Sequence, residues 1–229
     1  MYKDYFLKAV TIAFITPLIL MSCQKTVGNL LVNSKDKNCN PDTTLKMDVN
    51  GWSYYSYATS AIVPQTATTF FNDADTLVGL GQAYRQGGRF QTTNVFNIKD
   101  KVLYIKWKLN SGGQFAGIIA QLKYDPTTTD SNPPIQNVDF LLHSTTGFDN
   151  SVIIQDNVWY YTRIAANAGT DNYTCTTSIN NYSNNGGTVI GSKTTIVYTK
   201  SGYLGLRMGD CYGGTSAKFM LSEYKIASN

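Results

Sequence analysis

Between residues 102 and 109 the chain reads VLYIKWKL, with Leu103, Ile105, Trp107 and Leu109 at one parity and Tyr104, Lys106 and Lys108 at the other. Successive side chains of a strand point to opposite faces, so this period of two describes a strand with one face in a core and one in water. Short runs of strand character recur at 51–59, 76–84, 89–99, 115–124, 135–143, 152–155, 158–166, 172–179 and 193–199, bounded by Gly, Asn, Asp or Pro clusters. The segment 125–134, DPTTTDSNPP, is a loop by composition, because its prolines oppose ladder pairing. No stretch carries a helical stripe of three or more turns. Strands at this spacing without helices between them predict an all-β domain of two packed antiparallel sheets, not a parallel sheet.

Residues 202–226, GYLGLRMGDCYGGTSAKFMLSEYKI, read as two long strands joined by a glycine-rich loop. Leu204, Leu206 and Met208 alternate with Tyr203, Gly205 and Arg207 in the first; Met220, Tyr224 and Ile226 interleave with Phe219, Leu221 and Lys225 in the second. Three glycines between 209 and 216 suit a connection that needs positive φ. This closing pair resembles the end of concanavalin A-like jelly-roll β-sandwich domains, although any antiparallel sandwich hairpin is an alternative. Residues 156–164, DNVWYYTRI, look like the Trp-Tyr strand of laminin G-like domains. That resemblance implies that Trp159 closes one edge of the core. Neither anchor carries a catalytic residue, so the resemblance implies fold and not activity.

The N-terminus follows a different logic. Lys3 and Lys8 flank a short cationic segment, an apolar run spans 9–20, and Leu20-Met21-Ser22-Cys23 resembles the bacterial lipobox. Residues 1–22 are therefore expected to be a lipoprotein signal peptide, Cys23 the lipidated residue, 23–46 a polar tether and 47–229 the sandwich. The address implied is the bacterial cell envelope, with a lipid anchor in the outer membrane. Gln24 and Lys25 after the cysteine leave the periplasmic or surface side open. Removing Lys3, Lys8 and Asp4 with the leader leaves 17 cationic and 14 acidic side chains on 207 residues. That balance is no nucleic-acid footprint. Cys39, Cys175 and Cys211 then allow at most one intramolecular disulfide. Cys175 with Cys211 is the first pairing to test, since each lies at the edge of a strand region; a reduced, buried set is the alternative.

Among jelly-rolls, glycoside hydrolases resemble one another through a strand bearing paired carboxylates, which retaining chemistry needs about 5 Å apart. Glu223 is the sole glutamate here, and no strand carries two aspartates that face one groove. Jelly-roll polysaccharide lyases are similar through an Arg strand, a Gln-x-His strand and a late Tyr strand. Arg89, Gln121 and Tyr203 occur in that order, with Lys123 where the family has His. A lysine base needs a strongly lowered pKa, so turnover is not favoured. His143, the sole histidine, shares no metal-ligand spacing with the cysteines. The family resemblance leaves room for one structural calcium, with Asp73, Asp75 and Asp210 as the carboxylates; a turn-forming role for Asp73 and Asp75 is the alternative. No cofactor is required.

Binding remains. Aromatic residues make up 13% of the chain, 16 of them tyrosine, and rings beside amides and guanidinium groups hold sugars by stacking and hydrogen bonding. The expected carbohydrate face carries Tyr161, Arg163, Tyr203 and Arg207, with Gln121, Arg89 and Tyr104 nearby. Polysaccharide binding without cleavage is the leading expectation, and the partner is a polysaccharide or oligosaccharide. A structural or adhesion subunit that contacts envelope proteins is the rival.

Acyl chains contribute about 0.8 kcal/mol per buried CH₂, so a multiply acylated cysteine holds a protein on a membrane unaided. Cys23→Ala is expected to move the protein into the soluble fraction; a variant that stays membrane-bound with its N-terminus intact refutes the anchor.

Overall fold

The computed structural model describes residues 42–56, 59–81, 87–110, 117–123, 138–144, 154–197, 200–208 and 217–229. For 117–123 and 138–144 this is the strand course and register. The leader, Cys23, Cys39, Asp210 and Cys211 lie outside the described residues. The chain divides into Met1–Cys39 and Asn40–Asn229, and the sandwich belongs to the second unit.

In chain order the strands are β1 (Thr43–Thr44), β2 (Trp52–Ser56), β3 (Ala61–Ile62), β4 (Phe70–Asp73), β5 (Thr76–Leu80), β6 (Gly88–Asn97) and β7 (Lys101–Asn110). They continue with β8 (Gly117–Lys123), β9 (Val138–Ser144), β10 (Trp159–Ala166), β11 (Asn172–Ile179), β12 (Thr188–Ile196), β13 (Ser201–Met208) and β14 (Lys218–Ser228). An eight-stranded sheet runs β12-β11-β10-β7-β14-β5-β4, with β1 on β14; a six-stranded sheet runs β3-β2-β6-β13-β8-β9. All pairs are antiparallel. The two antiparallel sheets expected from the alternation, and the jelly-roll sandwich implied by the resemblance, are the fold observed.

The alternation on β7 reads out directly. Leu103, Ile105, Trp107 and Leu109 are buried while Tyr104, Lys106 and Lys108 are half-buried. Trp107 stacks on Tyr160 of β10 at 4.7 Å between centroids. Its indole Nε1 donates to Thr162 Oγ1 at 2.9 Å, and Thr162 and Thr177 share a hydroxyl hydrogen bond of 2.9 Å. A buried indole N–H needs such an acceptor. From the other side of the core, Tyr54 of β2 packs on Phe90 and Phe70 at 5.2 and 5.8 Å. Its ring lies against Gly79 and Gly88, where any Cβ would collide with it.

Four expectations are corrected. The closing strands do not form a hairpin: β13 joins β6 and β8, whereas β14 joins β7 and β5 in the other sheet. Within β14 a bulge between Leu221 and Glu223 shifts the phase. Phe219, Leu221, Tyr224 and Ile226 therefore all enter the core, where simple alternation sets Met220 with Tyr224. Trp159 does not close the core. It is half-buried at the outer parity of β10, and the adjacent Tyr160, 3% exposed, takes the inner place opposite Trp107. Cys175 is a free thiol, 4% exposed, not the partner of Cys211, because its parity on β11 turns it into the core. Ahead of β2, Thr43 and Thr44 pair with Ile226 and Lys225, and Leu45 N donates to Tyr224 O at 2.9 Å.

Thr162→Val keeps the shape of the side chain but leaves the Trp107 N–H buried without an acceptor. The expected loss is about 1–3 kcal/mol of unfolding free energy, read by denaturant titration; an unchanged midpoint refutes the role of the hydroxyl. A second expectation concerns pH. Burial pushes the Cys175 thiol from 9.0 up to about 12, against a small opposing pull from Lys193. Burial likewise raises the Tyr173 phenol from 10.0 to about 12 and, in the same direction, those of Tyr54 and Tyr224. The unfolded chain releases these protons first, so the stability they contribute is full below pH 9.0 and is lost as pH climbs towards about 12. Peptide mapping after iodoacetamide treatment at mildly alkaline pH should find Cys175 unlabelled in the native protein and labelled in denaturant.

Candidate functional site

The anticipated sugar face does not exist as one surface. Tyr104, Tyr161 and Arg163 lie on β7 and β10 of the eight-stranded sheet; Arg89, Gln121, Tyr203 and Arg207 lie on β6, β8 and β13 of the six-stranded sheet. Both sheets send their opposite parity into one shared core, so the two sets occupy opposite outer faces. Alternation gives the parity of a residue within its strand and is silent about which sheet the strand joins.

On the six-stranded sheet, Leu204 and Leu206 enter the core and leave Tyr203, Gly205 and Arg207 at the outer parity of β13. Phe90 does the same for Arg89 and Gln91 on β6, and Tyr54 for Ser53 and Tyr55 on β2. Register then builds rows across the strands. One row is Tyr55, Arg89, Arg207 and Ile119; the next is Ser53, Gln91, Gly205 and Gln121. Tyr203 is in register with Val95 on one side and Lys123 on the other. At the shift between these rows, the Leu204 N–H donates to Thr92 Oγ1 at 3.0 Å, a side-chain substitute for the interrupted ladder.

The polar groups of this face are deeply placed. Arg89 is 1% exposed, with its guanidinium 4.9 Å from the centre of the Tyr55 ring. It is in register with a second arginine, Arg207. Gln91 is 2% exposed, and its Oε1 is buried without a hydrogen-bond partner. A group left in that state costs about 1–3 kcal/mol. Between Gln91 and Gln121 the row passes through the buried Gly205, so the middle of that row has no side chain. Gln91 and Tyr55 were not singled out from the sequence. The available signal for Gln91 was its i+2 spacing from Arg89.

The outer face of the eight-stranded sheet is built from Trp159, Tyr161 and Arg163 on β10 with Lys108, Lys106 and Tyr104 opposite them on β7. Lys108 Nζ lies 4.6 Å from the Trp159 ring centre; Lys106 Nζ lies 5.1 Å from Trp159 and 5.5 Å from Tyr161. Tyr182, in the connection from β11 to β12, meets Tyr104 and Tyr161 edge-on at 5.0 and 5.3 Å. Its hydroxyl donates to Glu223 Oε1 at 3.1 Å, and Asn184 Nδ2 donates to the Tyr104 hydroxyl at 3.1 Å. Burial, with the Glu223 carboxylate alongside, raises the Tyr182 phenol well above its ordinary range.

Of the calcium candidates, Asp73 and Asp75 sit at the β4–β5 hairpin, where Asp73 pairs with Thr76 around Ala74 at φ 50°. Asp73 lies 3.8 Å from Lys218 Nζ. Asp75 lines an open groove of about 540 Å³ with Asp48, Asn72 and Ser222. The geometry is that of a turn, and among the described residues no group of three or more His, Cys, Asp or Glu side chains could hold a metal ion.

No protein-family model and no curated protein matches the sequence. Solved structures do match. Lectin I from Ulex europaeus, in complex with the methyl glycoside of α-L-fucose, aligns at a TM-score of 0.52 and 15% identity over 82% of this chain and 98% of its own. Lectin UEA-II complexed with galactose gives 0.52 and 12% over the same shares. Arcelin-5, a lectin-like defence protein from Phaseolus vulgaris, gives 0.50 and 9% over 83% and 99%. At these identities the likeness is one of architecture, and the chain has the concanavalin A-like sandwich fold that these lectins share.

Proposed function

We propose that the protein is an envelope-anchored lipoprotein that binds a polysaccharide on the outer face of its six-stranded sheet and leaves it uncut. The observation that carries this reading is Gln91. A buried amide oxygen without a donor is a cost that the fold could remove with an apolar residue, so its retention favours a ligand hydroxyl as the missing partner. Tyr203 supplies a ring on the neighbouring strand, and Gln121 and Lys123 fall in register on the next one. The fold supports the reading by analogy, since UEA-II is described with galactose and lectin I with a fucoside. Anchoring through Cys23 would place the face in the cell envelope.

Binding without turnover rests on the acids available. Glu223 lies on the other sheet and accepts from Tyr182. A lyase is the second reading, favoured by one fact: β6, β13 and β8 are neighbours, so Arg89, Tyr203, Gln121 and Lys123 share adjacent strands. Lys123 would then have to serve as base.

Gln91→Leu separates a binding residue from a structural one. Retention on a glycan array should fall at least tenfold, equivalent to about 1.4 kcal/mol, while the melting temperature holds or rises. Tyr203→Ala should weaken retention in the same way. Loss of stability without loss of binding makes Gln91 structural. Release of unsaturated, ultraviolet-absorbing products converts the reading to a lyase, and retention on no glycan shifts it to the adhesion subunit, for which β12 offers a nine-residue edge.

A further inference from the structure

The outer face of the eight-stranded sheet is not used by that reading, and its charges do not balance. It carries Lys106, Lys108, Arg163 and Lys225 against Glu223 and, at its margin, Asp42. Asp42 takes Lys225 at 3.7 Å; Glu223, in register with Lys106, accepts from the Tyr182 hydroxyl and keeps its charge, so one carboxylate faces Lys106, Lys108 and Arg163. Among the described residues, Lys106, Lys108 and Arg163 form no ion pair. Arg163 adds a second, independent fact: its Nε–H is buried and has no acceptor. A guanidinium donor in that state is expensive unless an anion completes it.

The rings of this face are held in place before any ligand arrives. Tyr182 locks Tyr104 and Tyr161 edge-on and is itself tied to Glu223, while Asn184 holds the Tyr104 hydroxyl. Trp159 stays half-buried, flanked by both lysines. Further along the same face, Thr176 pairs with Ser192 at 3.2 Å and Thr174 with Thr194 at 3.1 Å, a row of hydroxyls that can exchange hydrogen bonds with a sugar. Fixed rings, hydroxyls and cations without an ion-pair partner on one sheet face complement a chain that repeats an apolar ring face, hydroxyls and an anion.

We propose that this face is a second binding site, distinct from the six-stranded face, for a polysaccharide bearing carboxylate or sulfate groups. Lys106, Lys108 and Arg163 hold the anions, and Trp159 with Tyr161 stacks the sugar rings.

The test is affinity electrophoresis of the full-length chain through gels containing polygalacturonate, dextran sulfate or neutral dextran. Retardation is expected from at least one acidic polymer, not from dextran, and should weaken as salt screens the contacts. Two arms separate a carboxylate ligand from a sulfated one. Lys106→Gln, Lys108→Gln and Arg163→Gln combined should weaken that retardation at least tenfold. Three control lysines, Lys46→Gln, Lys99→Gln and Lys193→Gln, which remove the same charge elsewhere, should leave it within twofold. Trp159→Ala should weaken it with little change in melting temperature, since the ring is outside the core. Gln91→Leu on the other face should leave it unchanged, so failure of the six-stranded site and failure of this one are read separately. No retardation by either acidic polymer overturns the proposal. So does equal loss in the control triple, or loss that follows Gln91. Binding to anionic phospholipid vesicles through the same three cations, without polymer binding, overturns it in favour of a membrane-facing surface.

Discussion

The contact on which the arrangement of the eight-stranded sheet turns is Trp107 against Tyr160, with the indole N–H on Thr162 and the hydroxyl chain continuing to Thr177. It ties β7, β10 and β11 together from the inside. A slip of one residue in either register would expel the indole and strand two hydroxyls in apolar surroundings. Because side chains alternate, fixing that inner parity also fixes the outer one. Lys106, Lys108, Trp159, Tyr161 and Arg163 are outside because Trp107, Tyr160 and Thr162 are inside. The outer surface is thus a consequence of core packing, and its chemistry is free to vary without disturbing the core.

How far this could be read from the chain depends on which link is asked for. β7 was legible because Leu103, Ile105, Trp107 and Leu109 are large and apolar and alternate with Tyr104, Lys106 and Lys108. Trp159 was not, since Trp and Tyr stand side by side and either can fill a core; only the register opposite Trp107 chooses between them. The resemblance to a laminin G-like strand implied Trp159 as the core ring, whereas its neighbour Tyr160 fills that place. β14 failed for a different reason. Its bulge between Leu221 and Glu223 puts Phe219, Leu221, Tyr224 and Ile226 on one side, and a bulge leaves no mark in the order of apolar residues.

The division of the sugar-face candidates is a matter of topology. β13 and β14 are consecutive in the chain, yet they lie in different sheets, each in the middle of its own. Local pattern predicts strands, and neighbours in sequence commonly pair, but a sandwich needs some connections that cross from one layer to the other. Tyr161 with Arg163, and Tyr203 with Arg207, show the same spacing of two and the same chemistry, so nothing in the local pattern separates them. Only long-range pairing assigns the first pair to the face beside Lys106 and the second to the face beside Arg89.

That crossing also explains why the two outer faces can differ. Over the six-stranded sheet the polar groups are sunk: Arg89 at 1% exposure and Gln91 at 2% sit in register with an arginine and a glycine. Desolvated groups of this kind act over short range and discriminate by geometry, because each misplaced partner leaves a buried dipole or charge unmet. Over the eight-stranded sheet the cations are half-buried, lie over aromatic rings and remain within reach of water. Charges so placed act over longer range and are screened by salt. A single core therefore supports two outer faces of different chemistry, and the parity of β7, β10 and β13 keeps them on opposite sides.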